Sequence, residues 1–199
     1  MLKQLVIATG NSGKLREIQA LLQPLNIEVV PQTAFKVPEA AEPHCTFIEN
    51  ALAKARHASQ CTGLPALADD SGLCVEALQG APGVHSAYFG GEPRSDAKNN
   101  AYLLEMLKDQ TNRRAYYYCA LVLVRRHDDP QPLIADGIWT GEILNAPRGT
   151  LGFGYDPLFL DDKTDKTGAE LEPEIKNHIS HRGHALRKML HLIEKLNVI

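Results

Sequence analysis

No stretch of the 199-residue sequence is apolar for long enough to cross a membrane. Its first apolar run, Leu5-Val6-Ile7-Ala8, is also too short for a secretory leader. Cysteine is sparse. Cys45, Cys61, Cys74 and Cys119 are widely spaced and form no C-x-x-C pair, which argues against a zinc cage or a disulfide framework and suits a reducing cytoplasm. Three of them lie in apolar surroundings and read as buried structural thiols. An excess of positive charge is missing too. Lys and Arg number 21 against 24 Asp and Glu, a net charge of −3, so a broad electrostatic grip on nucleic acid is not expected. Arg113-Arg114 and Arg125-Arg126 read as solvated strand ends rather than a binding stripe. Any anionic ligand must therefore be met by a local cluster of cations. Internal repeats and low-complexity segments are absent, and the length fits one domain, 1–199, able to bury a sizeable core.

What is present centres on Leu64-Pro65-Ala66-Leu67-Ala68-Asp69-Asp70-Ser71-Gly72-Leu73. A short apolar strand runs into two adjacent carboxylates, a hydroxyl and a glycine turn, and Leu73 to Leu78 continues as a second strand. Two acids held together at a strand end repel, which raises one pKa unless a cation sits between them. Mg²⁺, a hard cation usually shared with substrate phosphates, suits that position. The same four residues also make an ordinary solvated turn, and this stretch alone leaves both readings open.

Leu5-Val6-Ile7-Ala8 reads as a buried strand and runs into Thr9-Gly10-Asn11-Ser12-Gly13-Lys14. A helix follows with Leu15, Ile18 and Leu22 on one face and Pro24 just past its end. Strand, glycine turn, helix N-terminus and lysine together can cradle a phosphate. The spacing is not that of a Walker loop, because Leu15 stands where Ser or Thr would follow the lysine. After a strand at Ile27 to Val30, a Pro- and Ala-rich connection carries Glu39 and Glu42. Thr46-Phe47-Ile48-Glu49 forms a capping box opening a helix to Gln60, with Ile48, Leu52 and Ala55 as its buried stripe. Lys54 lies off that stripe, in line with Phe47 and Asn50.

A helix over Ser95 to Leu107 turns Ala101, Leu104 and Leu107 inward, and Tyr116 to Val124 pairs with Leu133 to Trp139 as a hairpin. The loop Gly149 to Phe159 sets Phe153, Gly154, Tyr155 and Asp156 among glycines. Such a loop either lets a flat ligand approach the backbone beneath an aromatic ring or is pinned by two aromatic core plugs. Asp161 to Thr167 is a charged loop, and a short polar segment with Lys176 precedes the last helix. Ser180 caps that helix, whose apolar face is Leu186, Met189, Leu190, Ile193 and Leu196. His181 and Arg182 then fall in its first turn, against the helix dipole, and an anion or an electron-rich base edge would relieve the conflict. A transition metal on His178, His181 and His184 is disfavoured by Gly183 and by the lack of a completing Cys or carboxylate.

Two acids, a phosphate-cradling turn, cations on separate helices and a glycine-aromatic loop are together what a nucleoside triphosphate held with Mg²⁺ requires. The chain closely resembles the non-standard purine nucleoside triphosphate pyrophosphatases (inosine/xanthosine triphosphate pyrophosphatases). The motifs are T-G-N-S-G-K at Thr9–Lys14, T-F-I-E-N-A at Thr46–Ala51, A-D-D-S-G-L at Ala68–Leu73, G-F-G-Y-D-P at Gly152–Pro157 and S-H-R-G at Ser180–Gly183. The resemblance implies a cytoplasmic, homodimeric, Mg²⁺-dependent hydrolase that converts ITP, dITP and XTP to monophosphate and pyrophosphate. It implies an elongated α/β fold of two lobes around a long mixed sheet flanked by helices, with the active site in the cleft between the lobes. By position, Thr9, Gly10, Asn11, Ser12, Gly13 and Lys14 hold substrate, and Asp70 binds Mg²⁺ and accepts a proton, with Asp69 as the alternative acceptor. Ser71 contacts substrate, and Glu42 (or the nearby Glu39) is the second metal ligand. Apart from the resemblance, Lys14 and Lys54 are expected to steady the phosphates, although an off-stripe lysine such as Lys54 is by default solvated or snorkelling. Phe153, Gly154, Tyr155, Asp156, Lys176, His181 and Arg182 meet base and substrate. One departure is Tyr88-Phe89-Gly90, where family members often carry Arg-Tyr-Ser. A pyrophosphatase with another base preference and a non-catalytic nucleotide sensor are the alternatives.

Overall fold

The computed structural model describes residues 2–23 and 27–196; Pro24 and the side chain of Leu196 lie outside them. Six strands form one mixed sheet in the order β2-β1-β3-β4-β5-β6. They are β1 (Gln4–Ile7), β2 (Glu28–Pro31), β3 (Ala66–Val75), β4 (Arg114–Val124), β5 (Leu133–Ile143) and β6 (Phe159–Asp161). The helices are α1 (Ser12–Leu22), α2 (Phe47–Thr62), α3 (Asp96–Met106), α4 (Pro173–Ile179) and α5 (His181–Leu196). No helix among the described residues is long and apolar enough to cross a membrane.

The chain divides into two compact units, Met1–Asp70 with Cys119–Gly137 and Arg182–Ile199, and Ser71–Tyr118 with Ile138–His181. In the first, β1 pairs in parallel with β2 on one side and with β3 on the other. The β1–β3 register sets Ile7 beside Leu67, so the turn leaving β1 at Thr9 is level with Asp69. The carboxyl ends of two parallel strands that diverge in connection are where open α/β sheets bind ligands. Leu5, Ile7, Ile18, Leu22, Leu67, Leu121, Leu186, Met189 and Ile193 fill the core beneath. In the second unit the core gathers Leu73, Val75, Leu103, Leu107, Tyr117, Trp139, Tyr155, Leu158 and Phe159.

Several expectations change. The turn foreseen at Gly72 is absent: β3 continues from Ala66 to Val75 as one strand, and only beyond it does a short 3₁₀ turn follow at Glu76–Leu78. Asp69 and Asp70 therefore sit within the strand, and the pleat sends them to opposite faces. On α2 the buried positions are Asn50, Ala51, Ala55, Ala58 and Ser59, while Ile48 is exposed. The buried face is shifted from the foreseen stripe toward small residues and Asn50, and keeps Ala55 of it. On α3 Leu103 and Leu107 point inward and Ala101 is exposed. The charged segment after Phe159 begins as strand β6, paired antiparallel with β5. Cys74 and Cys119 are buried, but Cys45 and Cys61 are exposed, so two rather than three thiols are structural.

The arginine pairs are not simply solvated. Arg125 grips Asp129 with Nε at 2.8 Å and Nη2 at 2.5 Å, closing the connection between β4 and β5. The Arg113 guanidinium donates to the carbonyls of Ile143 (2.5 Å), Leu107 (3.0 Å) and Leu144 (3.0 Å). Arg114 and Arg126 make exposed ion pairs, with Asp162 and Asp128. Arg113→Ala strips three carbonyls of a charged donor. It is expected to cost about 2–3 kcal/mol and lower Tm by about 5–10 °C, read by thermal unfolding.

Candidate active site

In the first unit the site grows from the strand ends. Asn11 caps α1, its Oδ1 accepting from the N–H of Gly13 (2.8 Å) and of Lys14 (3.2 Å). Thr9 Oγ1 accepts from the Asn11 N–H at 3.2 Å, which tightens the turn. The Glu39 carboxylate lies against Gly10, where a Cβ would oblige that side chain to shift. The turn that was expected to present bare N–H groups thus holds two of them on Asn11, and a phosphate would compete with that amide. Ser12 opens α1, Gly13 is buried, and Lys14 Nζ reaches Asp69 at 3.0 Å.

Asp69 and Asp70 turn to opposite faces of β3 and meet different neighbours there. Asp69 faces Lys14 and the Arg182 guanidinium, whose Nε and Nη2 lie 3.4 and 3.3 Å from Oδ2. Arg182 is itself buried and also donates to Glu17. The anion that answers its place at the start of α5 is therefore this pair of carboxylates. Burial alone would raise the Asp69 pKa, but Lys14, Arg182 and Lys54 hold it well below the usual carboxylate range. Asp70 faces α2. Its Oδ2 accepts from Asn50 Nδ2 at 3.3 Å and its Oδ1 lies 3.5 Å from Lys54 Nζ. Burial pushes the Asp70 pKa up; Lys54 and Lys14 oppose this, while Glu42 and Asp69 add to it. Lys54 also bonds Glu42 at 2.7 Å, so one ammonium bridges the two carboxylates. Asn50 anchors the preceding loop through the N–H and C=O of His44, at 3.0 and 3.1 Å.

The second unit starts with half-buried Ser71 on β3 and holds the glycine-aromatic loop. Gly152 and Gly154 take positive φ of 74° and 64°. The first folds the loop back so that the Asp156 carboxylate accepts from the Phe153 N–H at 2.8 Å. Lys176, buried on α4, bonds Asp156 at 2.6 Å and stands 4.7 Å from the centre of the Phe153 ring. The two aromatics differ: Tyr155 is a core plug whose hydroxyl donates to the Ser86 carbonyl at 2.8 Å, whereas the Phe153 side of the loop is only partly covered. His181 is buried with its ring stacked on Tyr117, 4.7 Å between centroids and 8° between planes.

The Ham1 family profile matches residues 5–192. The chain belongs to the Ham1 family. The dITP/XTP pyrophosphatase of Aromatoleum aromaticum is 60% identical over 190 residues, covering 96% of each chain. That of Chromobacterium violaceum is 59% identical, covering 98% of this chain and all of its own. A solved HAM1 protein from Coxiella burnetii superposes with a TM-score of 0.91 at 48% identity, covering 98% of this chain and 100% of that one. Mixed α/β architecture is thus common to this Ham1 chain and its relative.

Asp70 and Glu42 fit a hard divalent cation. Both offer carboxylate oxygens to one cationic point, filled here by the Lys54 ammonium. Two carboxylates completed by phosphate oxygens and water are the usual Mg²⁺ environment. Glu39 instead lies against Gly10. Among the described residues no three His, Cys, Asp or Glu side chains gather as a metal cage, the histidines of α4 and α5 included. Asn50, Glu17, Asp96 and Asn100 were not foreseen as parts of the site. Asn50 stands one turn before Lys54 within the T-F-I-E-N-A motif, which was the available signal.

Proposed function

We propose that this chain hydrolyses dITP, ITP and XTP to the monophosphate and pyrophosphate, clearing deaminated purines from the nucleotide pool. The observation that carries the chemistry is the pair of adjacent carboxylates on β3 in different settings: Asp69 is held by Lys14 and Arg182, whereas Asp70 turns to Asn50 and Lys54 beside Glu42. The substrate class follows the names of the relatives. Asp70 and Glu42 would hold Mg²⁺, which would supply charge neutralisation and orientation for the polyphosphate. Water attacks the α-phosphorus in line, the bond from phosphorus to the bridging oxygen breaks, and pyrophosphate leaves with that electron pair. Asp70 takes the water proton, because Asp69 is committed to Lys14 and Arg182 and is too weak a base. Lys14 and Lys54 stabilise charge on the phosphates, with Thr9–Lys14 and Ser71 as the remaining phosphate contacts.

The purine stacks on Phe153 in this proposal, and His181 and Arg182 supply donors for the 6-oxo group. Adenine presents an amino donor there and leaves such donors unpaired, which is costly when buried. Tyr155, Asp156 and Lys176 shape the loop that receives the base. A homodimer in the cytoplasm completes the reading, supported by the resemblance and by four free thiols; sedimentation tests the dimer.

Pyrophosphate release from ITP, dITP, XTP, GTP and ATP, with Mg²⁺ and with EDTA, tests the whole. Release from the first three that EDTA abolishes, with GTP and ATP at least about tenfold slower, is expected. Equal release from all five removes the base reading. Binding of ITP without release makes the chain a nucleotide sensor.

A further inference from the structure

Helix α3 holds the candidate base loop through side chains that no motif marked. Gly154 donates its N–H to Asp96 Oδ2 at 2.7 Å, and its carbonyl accepts from Asn100 Nδ2 at 2.9 Å. Asp96 and Asn100 stand one helical turn apart and so share a face. Asn100 is fixed in turn, because its Nδ2 also donates to the Asp96 carbonyl at 2.9 Å. Asn99 beside it donates to the carbonyls of Ser86 and Ala87 at 3.3 and 3.0 Å and accepts from the Gly90 N–H at 2.7 Å. Ser86 is the residue whose carbonyl receives the Tyr155 hydroxyl. Asp96 and Asn100 thus fasten Gly154 directly, and Asn99 supports the anchor of Tyr155. All of them lie in the second unit.

The consequence is a loop whose backbone polarity is turned inward. The N–H of Phe153 goes to Asp156, that of Gly154 to Asp96 and that of Asp156 to the Phe153 carbonyl. These three backbone donors are therefore spoken for and do not read the 6-oxo group. The carbonyl of Gly154 is covered as well. Left uncovered, it is an acceptor of the kind that pairs with the 6-amino group of adenine, the feature this site is proposed to reject.

We propose that Asp96 and Asn100 are positioning residues for base selection. By clamping both polar groups of Gly154 they fix the place of the adjoining Phe153 ring and mask the carbonyl that would accept adenine. This rests on the base-binding reading of Phe153–Asp156 above. Neither residue is proposed to touch phosphate.

The test measures kcat/KM for ITP and ATP in the full-length wild type, Asn100→Ala, Asp96→Ala and Asp96→Asn. Inorganic tripolyphosphate serves as a base-free competitor. The ITP:ATP ratio is expected to fall about tenfold in both alanine variants, the scale of one lost charge-assisted or shielding hydrogen bond. The change should enter mainly through KM, and tripolyphosphate inhibition should stay within about twofold of wild type. Asp96→Asn retains an acceptor for the Gly154 N–H and should keep most of the ratio. If an alanine variant does not fold, Asn100→Ser, too short to reach Gly154, gives the same reading. An unchanged ratio in folded variants, or tripolyphosphate inhibition that weakens in parallel, overturns the proposal. A wild type without preference for ITP over ATP removes the underlying reading and this inference with it, a result seen before any variant is made.

Discussion

Asp70→Asn is expected to lower turnover of dITP by at least about 10³-fold while leaving thermal stability near that of the wild type. The amide keeps the volume and can still meet Asn50 and Lys54, which lie 3.3 and 3.5 Å from the carboxylate. What it loses is the anionic oxygen offered to the cation and the lone pair that takes a proton from water. General-base catalysis alone is worth roughly 10²–10⁴ in rate. Stability should survive because burial, Glu42 and Asp69 all disfavour the Asp70 charge, so neutralising it removes a strain rather than a support. A Tm change within about 3 °C is expected. Asp69→Asn should behave in the opposite way, since its charge balances buried Arg182 and Lys14. Pyrophosphate release and scanning calorimetry on both variants decide the assignment. Near-normal turnover in Asp70→Asn would discard Asp70 as both proton acceptor and metal ligand.

The contrast between these two neighbours shows where the sequence was legible. Adjacent acids, a glycine turn before a lysine and an off-stripe Lys54 were visible in the sequence, and those residues fall in one unit. Their pairing was not visible. It depends on whether β3 bends at Gly72 or runs through it, and a glycine within an apolar stretch fits either course. Because the strand continues, the acids turn to opposite faces and make their closest lysine contacts with different cations, Lys14 for Asp69 and Lys54 for Asp70. Arg113 illustrates another limit: its carbonyl partners lie 6, 30 and 31 residues away, and no local pattern announces such a partner set. The first strand, the first helix and the last helix were legible because tertiary packing agrees with local periodicity there. On α2 it does not, since alanines and Asn50 face inward while the larger Ile48 faces solvent.

Arg182→Ala is expected to be the most destabilising single change in the site. The guanidinium is 2% exposed and bonds both Asp69 and Glu17. Removing one member of a buried ion network costs about 3–5 kcal/mol, or roughly 6–20 °C in Tm for a chain of this length. Lys14 remains to neutralise Asp69, and the Arg182–Glu17 ion pair is the part of the network that a second substitution can isolate. Adding Glu17→Gln to Arg182→Met should therefore recover part of the lost stability, as coupled sites in one network do. Unfolding of both single variants and the double variant, as a cycle, measures that coupling. Additive losses would mean that the pair does not stabilise the fold as a unit. The ITP:ATP ratio measured on the double variant then separates the two roles of Arg182. A ratio that falls once stability is restored supports a guanidinium that reads the base, whereas a ratio held at the wild-type value confines Arg182 to positioning Asp69 and leaves base reading to His181 and the α3-clamped loop.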